Sequence, residues 1–469
     1  MVRCQAPTAR HALGLLLVGL LLIAPACEGE PPAGPLGQGG LPTGTAAFRL
    51  VPFRAATPSP TASPTPQPPP RAGPLVWVGG EAVLSVLGPG GWQTFALEGI
   101  VRDIAVDAQG NAIVAPGLYM CDGRLLRALL PRAPGAEQDA VAVDPQGRIW
   151  AGYYGGIAVL EGGRWRTIPI EGSPTQSRAR TVRDVASDSQ GGIWVATGAG
   201  LLRYDGRSWQ RYEAAGLGGI AIDCLVVDGQ GRVWVAHEKG LSVLQGRAWQ
   251  HWSLEETGFV RHLAAAPGGR ILAGTLYRGL AVLSGQAWQT MAEAGSGLPG
   301  SRITALAADG LGRIWVGSRS GLGVYDGGRW LTYQEANSGL GDDQVWALAV
   351  GGGALATLPT PAPVRYGRLE GRVTVRGQPA AGVRVVLCSD LPLGGTFGDH
   401  PCEGAPYSRL GRTGADGRYA FDRVPVGHYA VAAEVDRGRW VACTRVLSAV
   451  RYPVRAAETT VAETIEGAQ

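Results

Sequence analysis

The stretch DSQGGIWVATGAGLLRYDGRSW, from Asp188 to Trp209, decides the fold, because shortened copies of it recur along the chain. Other copies read DPQGRIWAG from Asp144, DGQGRVWVA from Asp228 and DGLGRIWVG from Asp309. Each copy joins a D-x-x-G turn signal to alternating apolar residues, a pattern that is typical of β-strands. This recurrence predicts a repeat protein that is built from strands.

The spacing of the copies predicts the kind of repeat. The position of the motif's aspartate recurs about every forty residues, at Asp107, Asp144, Asp188, Asp228, Ala266, Asp309 and Gly351. Pairs of tryptophans fifteen residues apart repeat in one register, namely Trp77 and Trp92, Trp150 and Trp165, Trp194 and Trp209, Trp234 and Trp249, and Trp315 and Trp330. This period is typical of the blades of a β-propeller.

The two ends of the repeat region complement each other. The pair that begins with Trp77 has no first strand before it, whereas residues 342–353 offer a first strand with no tryptophan pair behind it. We therefore predict an all-β chain with a seven-bladed β-propeller at residues 75–366, whose first and last segments share one blade. Eight blades remain an alternative if residues 354–367 form strands of their own.

Composition agrees with an all-β protein and excludes some functions. The chain has 469 residues, 45% of them hydrophobic, with 73 glycines and 33 prolines, which favours many short strands and turns. Its formal net charge is +4. Because no basic run with interleaved aromatic residues is present, we expect no nucleic acid as a partner.

The N-terminus predicts export. Residues 1–26 read as a signal peptide, since Arg3 and Arg10 precede a short apolar run and small residues follow it. The sequence LLIAPAC resembles the lipobox of bacterial lipoproteins, in which Cys27 is lipidated; ordinary secretion after Ala26 is the alternative. Residues 27–74 form a Pro/Thr/Ser-rich tether. We expect an extracytoplasmic protein of the cell envelope that contacts the membrane only through a lipid anchor.

The C-terminal part predicts a second domain. Residues 367–460 contain alternating strands joined by turn signals such as Asp416-Gly417, which indicate a small β-sandwich, and residues 461–469 form a tail. The sequences GRVTVRGQPAAGVRVVL and TGADGRYAFDRVPVGHY resemble the carboxypeptidase regulatory-like domain, with a transthyretin-like sandwich. This resemblance implies an accessory module for attachment or display at the cell surface.

The blade sequence, with its D-x-x-G, its G-L-x-x-Y-D and its closing tryptophan, resembles the two-component regulator propeller repeat. This resemblance implies the extracytoplasmic sensor part of a hybrid kinase, which binds extracellular ligands. We expect no direct phosphorelay here, since no second apolar segment and no length for a kinase follow the signal.

Repeated residues and varied residues predict different roles. We expect the tryptophans to pack neighbouring blades together and the motif's aspartates to accept backbone N–H bonds in turns. By contrast, the positions five and four residues before the aspartate differ between copies, at the start of the strand that lines a propeller's channel. The ligand-binding candidates there are Arg102, Asp103, Asp139, Arg183, Asp184, Asp223, Arg261, His262 and Trp346. Tyr153, Tyr154, His237, Lys239, Tyr277 and Arg319 are expected near the same face.

These candidates predict a protein that binds and does not catalyse. The expected partner is an extracellular small molecule or saccharide, or another envelope protein, with no catalytic residue, no metal and no cofactor. The alternatives are an enzyme of the propeller lyase or lactonase kind, in which His262 would act with Asp184 or Asp223, and a structural cell-surface protein.

Cysteines add one expectation about the C-terminal domain. Export permits disulfides, and Cys388, Cys402 and Cys443 all lie in this domain. A pair between Cys388 and Cys402 is the first choice and one between Cys388 and Cys443 is the alternative. Cys121 and Cys224 are expected to be buried thiols.

Overall fold

The computed structural model describes residues 74–129, 139–170, 181–212, 221–285, 287–291, 297–389, 402, 405, 407–436, 439–442, 444–445, 448–449, 452–462 and 464–467. The predicted signal peptide, Cys27 and nearly all of the tether lie outside these residues, as does Cys443. Within the described part, strands dominate and the one α-helix, α1 (Leu254–Thr257), has four residues. The prediction of an all-β chain is confirmed.

In the described residues up to Gly351, 28 strands form seven antiparallel sheets of four strands each. These strands are β1 (Leu75–Gly79), β2 (Glu81–Gly88), β3 (Gly91–Ile100), β4 (Asp103–Val106), β5 (Ala112–Ala115), β6 (Tyr119–Cys121), β7 (Leu126–Ala128), β8 (Ala140–Val143), β9 (Ile149–Tyr153), β10 (Gly156–Glu161), β11 (Arg164–Pro169), β12 (Val182–Ser187), β13 (Ile193–Thr197), β14 (Gly200–Tyr204), β15 (Trp209–Tyr212), β16 (Ile222–Val227), β17 (Val233–His237), β18 (Gly240–Gln245), β19 (Ala248–Ser253), β20 (Val260–Ala266), β21 (Arg270–Thr275), β22 (Leu280–Ser284), β23 (Ala287–Met291), β24 (Ile303–Ala308), β25 (Ile314–Ser318), β26 (Gly321–Tyr325), β27 (Trp330–Tyr333) and β28 (Ala347–Gly351).

The seven sheets follow one another in a closed ring. Sheet 1 contains β28, β1, β2 and β3 in this order, and sheets 2 to 7 each contain four consecutive strands, from β4–β7 to β24–β27. The first strand of each sheet contacts the first strand of the next, and β28 contacts both β24 and β4. This cyclic arrangement of four-stranded sheets is that of a β-propeller.

Strands from the two ends of the repeat region share sheet 1. β28 pairs antiparallel with β1, with Ala349 opposite Trp77, as the unpaired strand patterns at the two ends predict. Of residues 354–367, which left an additional blade open, 354–365 form no strand and the last two begin β29 (Tyr366–Val375). Pairing between the ends leaves the ring without a free inner edge.

Buried apolar side chains join each sheet to the next. In the described residues, seven clusters of such side chains each combine two neighbouring sheets, and together they run around the whole ring. Between sheets 5 and 6, for example, Trp234 and Trp252 pack on Ile271 and Ala273. The inner tryptophans are almost fully buried, at Trp77, Trp150, Trp194, Trp234 and Trp315. Their expected packing role is confirmed.

A turn aspartate binds the indole of four of these tryptophans, whereas Trp77 Nε1 donates to Gly110 O at 3.1 Å. In sheet 5, Asp228 accepts hydrogen bonds from the backbone N–H groups of Gln230 and Arg232 at 2.9 and 3.0 Å. The other carboxylate oxygen accepts Arg232 Nε at 2.6 Å and Trp234 Nε1 at 2.9 Å. Gly231 completes the turn with a φ of +75°. The predicted role of the motif as a turn is confirmed, and the carboxylate also binds the tryptophan.

Asp144 and Asp309 repeat this arrangement with an arginine four residues on. The copy at Asp188 has Gly192 at that position, and Arg203 from the neighbouring strand supplies the guanidinium instead, with its Nε 2.9 Å from the carboxylate. A side chain at Gly192 would collide with Arg203, because a Cβ there would lie 2.2 Å from a guanidinium nitrogen. One charge arrangement is therefore conserved in space while its sequence position changes.

Twelve further strands form the C-terminal domain, defined here as residues 366–467. They are β29 (Tyr366–Val375), β30 (Gln378–Pro379), β31 (Arg384–Cys388), β32 (Ser408–Arg412), β33 (Arg418–Pro425), β34 (Gly427–Asp436), β35 (Arg439–Ala442), β36 (Thr444–Arg445), β37 (Ser448–Ala449), β38 (Tyr452–Val454), β39 (Thr459–Val461) and β40 (Ile465–Gly467). One sheet contains β30, β29 and β33 with β39 and β40, and another contains β32, β31, β34 and β35 with β38.

The two larger sheets of the C-terminal domain share one apolar core. Leu369 and Phe421 of the first sheet pack with Leu387 and Val431 of the second. A disulfide joins Cys388 to Cys402. Residues 461–469 were expected to form a tail. They include β40, which pairs with β29 and contributes the buried side chain of Ile465 to this core.

Replacing Asp228 with alanine is expected to lower the free energy of unfolding by about 3 kcal/mol, because it leaves the buried Trp234 Nε1 and the Arg232 guanidinium without their acceptor. Urea denaturation measures this loss. Asp205→Ala is the control: Asp205 accepts N–H bonds from Arg207 and Ser208 in an exposed turn, and its loss should lower the free energy of unfolding by clearly less than the loss of Asp228. Equal costs would show that the buried contacts add nothing beyond the turn.

Candidate functional site

A cavity of about 300 Å³ lies where the first strands of five sheets begin. Five of the predicted site residues line it, namely Arg102, Asp223, Arg261, His262 and Trp346. The other lining residues are Ile100, Val101, Leu276, Arg302, Ile303 and Thr304. Because these residues belong to or adjoin β4, β16, β20, β24 and β28, the cavity forms only when the ring brings five sheets together.

β-Bulges set the direction of several polar side chains at this end of the ring. β12, β16, β20 and β24 each skip one residue where they pair with the second strand of their sheet. The skipped residues are Arg183, Asp223, Arg261 and Thr304. A bulge bends its strand and re-aims the additional side chain, and bulges are frequent beside functional sites.

Ion pairs connect the arginines at the cavity to neighbouring sheets. Arg261 Nη1 lies 3.3 Å from Asp223 Oδ1, and Arg183 binds the same oxygen. Arg102 Nε lies 3.1 Å from Asp139 Oδ1. The side chains of Arg102 and Arg261 are 54% and 51% exposed. Exposed pairs of this kind stabilise a fold by only about 0–1 kcal/mol, so they orient the guanidinium groups and leave them accessible.

The cavity lining carries a net positive charge. Three guanidinium groups and one carboxylate line it, from Arg102, Arg261, Arg302 and Asp223. Desolvation by the surrounding protein and the nearby charge of Arg261 lower the pKa of His262 to about 4, so this imidazole is neutral at pH 7. Guanidinium groups recognise carboxylates and phosphates by paired hydrogen bonds, so the lining favours an anionic ligand.

Trp346 provides an aromatic wall. Its backbone N–H donates to Gly79 O at 2.8 Å, which fixes the residue at the start of β28. The Arg319 guanidinium lies 5.4 Å from the centroid of the indole. Trp346 Nε1 is shielded from solvent and has no hydrogen-bond partner in the described residues. The cavity therefore offers a flat apolar surface beside its charges.

Asp103 and Asp184 lie near the centre of the ring and do not line the cavity. Each carboxylate accepts one N–H bond from its own strand and one from the next sheet, all at 2.8 Å. Desolvation raises the pKa of Asp103 to about 6. Desolvation, together with the charge of Asp103, raises the pKa of Asp184 to about 8. The two carboxyl groups thus act on each other across the ring, and their bonds join successive sheets.

The buried thiol of Cys224, which is close enough to feel the charges of Asp184 and Asp223, is not activated as a nucleophile. Desolvation and then the charges of Asp184 and Asp223 raise the pKa of Cys224, so its thiol stays protonated. Cys121 and Cys224 are both free and buried, as expected.

His237 lies opposite Ile222 at the expected end of sheet 5, but it does not line the cavity. Its side chain is buried, with Nε2 2.9 Å from Ser242 Oγ and its ring stacked on His251 at 5.4 Å. Desolvation and the charges of His251 and Lys239 lower the pKa of His237 to about 4. The other expected neighbours, Tyr153, Tyr154, Lys239, Tyr277 and Arg319, do not line the cavity either.

Arg302 and Leu276 are cavity residues that the candidate positions missed. Arg302 lies seven residues before Asp309, outside the two positions compared between copies. Among the described residues seven positions before the motif's aspartate, Arg302 is the charged one. A comparison of the copies that included this position would have found it.

One group of described side chains has the donor atoms and spacing for a metal ion. The donor atoms of Glu335, Asp342 and His428 all lie within 4.8 Å of one another. His428 Nδ1 lies 3.1 Å from Glu335 Oε1, and the backbone N–H groups of Glu81 and Gln344 donate to Asp342. These hydrogen bonds account for the positions of the three side chains. The bond between Glu335 and His428 connects the segment after β27 to β34. No local pattern in the sequence predicts this cluster, because its members lie in two domains.

A family model described as "Two component regulator propeller" matches residues 297–320. This match covers the residues just before β24 and the strands β24 and β25 of sheet 7, including Asp309 and Trp315. No curated protein matches the sequence. In the described part of the chain, none of the helices has the length and apolar character needed to cross a membrane.

Solved structures resemble this chain at low scores. Streptogramin B lyase has 13% identity and a TM-score of 0.44, over 50% of this chain and 82% of its own. PorZ, a surface component of the type-IX secretion system of Porphyromonas gingivalis, has 15% identity and a TM-score of 0.43. The match covers 81% of this chain and 64% of PorZ. The extracellular domain of the putative hybrid two component system BT4673 from B. thetaiotaomicron has 12% identity and a TM-score of 0.31. The match covers 83% of this chain and 73% of that domain. No inference about function rests on these likenesses.

Asp184→Asn is expected to make stability depend less on pH. A raised carboxyl pKa stabilises the folded state at low pH, and this stabilisation is lost as pH rises from about 4, the pKa of an unfolded aspartate, to about 8. Melting temperatures measured from pH 4 to 8 should therefore fall less in the variant than in the wild type. Glu161→Gln, which changes a carboxylate that is 55% exposed, should follow the wild type. An unchanged slope for Asp184→Asn would contradict the raised pKa.

Proposed function

We propose that this protein is an extracytoplasmic binding protein, without catalytic activity, which recognises a small anionic molecule or an acidic saccharide at one end of its propeller. The observation that carries the proposal is the convergence of Arg102, Arg261, Arg302 and Trp346 on one cavity of about 300 Å³. That size lies at the lower end of the range for small-molecule sites. The combination of guanidinium groups and an indole suits a carboxylated sugar, which has both a charge and apolar C–H faces.

The architecture proposed for this function has seven blades and a β-sandwich. The cyclic contacts of the first strands and the seven apolar clusters support a seven-bladed ring. The shared core around Leu369 and Leu387 supports a sandwich in the C-terminal domain, of the transthyretin-like type that its sequence resembles. We further propose that Cys27 is lipidated and that the tether holds the propeller away from the membrane.

The distribution of charge supports binding in preference to catalysis. His262, the candidate acid or base, has a pKa of about 4 because desolvation and Arg261 oppose its protonation. A general acid or base works best with a pKa near the working pH. Arg102 and Arg261 are oriented by carboxylates in neighbouring sheets, which prepares their hydrogen bonds for a ligand before it arrives.

The test uses the full chain and compares glucuronate with uncharged glucose by isothermal titration calorimetry. Glucuronate is expected to bind, and Arg302→Gln and Arg261→Gln should each weaken binding about tenfold, because a charge-assisted hydrogen bond contributes about 1.5–3 kcal/mol. Trp346→Leu should weaken binding of the sugar by removing its stacking surface.

Arg329→Gln is the matched control, since Arg329 lies in an exposed turn with its side chain 74% accessible. It should bind like the wild type. Glucose that binds as tightly as glucuronate would contradict recognition of the charge. Glucuronate binding that survives in both arginine variants would contradict this cavity as the site.

A further inference from the structure

A second cavity lies in the C-terminal domain, away from the residues proposed to bind at the propeller. It measures about 470 Å³ and is lined by Arg368, Arg372, Arg412 and Arg418, with Glu370 and Tyr419 among the remaining residues. Its floor is the outer face of the sheet that contains β29 and β33. On β29, Leu369 and Val373 are buried in the core, so the alternate residues Arg368, Glu370 and Arg372 face outward.

The register of this sheet brings like charges together. Arg372 on β29 is directly opposite Arg418 on β33. Like charges directly opposite each other on paired strands destabilise a sheet. A pair that costs stability and gains nothing from packing points to a role in binding, since an anion between the two guanidinium groups would remove their repulsion.

The partners of these arginines leave much of the charge uncompensated. Arg372 Nε donates to Asp416 O at 3.1 Å, and Arg412 Nη1 donates to Gly382 O at 2.9 Å; both acceptors are neutral carbonyls. Arg418 Nε lies 3.6 Å from an Asp416 carboxylate oxygen, and both side chains are mostly exposed. A contact of this length and exposure neutralises little charge.

A buried hydroxyl lies on the other face of the same sheet. Tyr419 lines the cavity and is 4% exposed, and its hydroxyl has no hydrogen-bond partner in the described residues. Leaving a buried hydroxyl unpaired is unfavourable. The hydroxyl lies beneath Gly371, where a Cβ would approach it to 2.3 Å. Gly371 is on the same face of β29 as Leu369 and Val373, so the hydroxyl lies on the core side of the sheet, opposite to Arg372 and Arg418, and takes no part in the proposed anion site.

We propose that this cavity binds a polyvalent oxyanion of about the size of a sugar, held by Arg372, Arg412 and Arg418. Its volume falls within the range of small-molecule sites, about 300–1,000 Å³. Guanidinium forks match carboxylate and phosphate groups equally in geometry, so the shared chemistry is several anionic oxygens on one molecule, from one phosphate group or from several carboxylates. Arg368 is bound by Glu370 and Asp422 and forms the rim. This site uses no propeller residue and does not depend on the proposed function.

The test measures binding of citrate, inorganic phosphate and glucose 6-phosphate to the full chain by calorimetry at low ionic strength, with glucose as the neutral probe. At least one of the three anions should bind with one-to-one stoichiometry at this site, and the affinity should fall as salt rises. Citrate binding alone would identify carboxylates as the recognised groups, and binding of the two phosphates alone would identify phosphate. Saturable binding of glucose or no saturable binding of any anion would overturn the proposal.

Two variants locate the site. The double variant Arg372→Gln with Arg412→Gln should weaken binding of the anion by more than tenfold, whereas Arg455→Gln, an exposed arginine of the same domain that is 73% accessible, should not. Arg302→Gln at the propeller should leave this binding unchanged, which separates the two sites. Unchanged affinity in the double variant would overturn the assignment.

A thermal-unfolding experiment on Arg418→Gln distinguishes loss of anion binding from loss of the folded structure. Because Arg372 and Arg418 repel each other, Arg418→Gln should melt at or above the temperature of the wild type without anion, and the anion should raise its melting temperature less than that of the wild type. An equal rise in both proteins would contradict a contact between Arg418 and the anion.

Discussion

The carboxylate of the turn aspartate is the constraint on which the propeller depends. In each of four copies one such group holds a tight turn, an arginine and a buried tryptophan together, as Asp228 does with Arg232 and Trp234. Burial raises the pKa of Asp228, but bonds from the indole and the guanidinium outweigh this and lower it, so the group remains ionised. An oriented indole then presents the same apolar surface to the next sheet, and the ring follows from repetition of that contact.

The scaffold separates positions that must repeat from positions that are free to vary. Turn, arginine and tryptophan lie at the ends of the sheets opposite to the start of the first strands, so changes at that start do not disturb them. There the bulged residues differ between sheets, as Arg183, Asp223, Arg261 and Thr304 show. The cavity at this end therefore gains its own charge and shape at little cost to the fold. The C-terminal domain separates the two roles similarly: the residues of β29 and β33 that face the core are apolar, whereas the residues that face outward include the charged side chains of the second cavity.

Much of the fold and part of the site were predictable from local patterns. The D-x-x-G period and the tryptophan pairs predicted the sheets, and the unmatched strands at the two ends predicted the pairing of β1 with β28. Comparison of equivalent positions found Arg102, Asp223, Arg261, His262 and Trp346. It missed Arg302, which reaches the cavity from an earlier position. It also grouped Asp103 and Asp184 with the rim, because nothing in a one-dimensional pattern shows that their carboxylates bind the backbone of the next sheet.

The sequence by itself determined the repeat, its turns and its buried tryptophans, because these depend on contacts within about forty residues and on the alternation of side chains along a strand. Only the tertiary structure decided which charges meet. The propeller cavity collects side chains from five sheets that are far apart in the chain, and a bulge shifts several of them by one residue. The pairing of Arg372 with Arg418 depends on strand register, and a shift of one residue would turn every outward side chain to the other face.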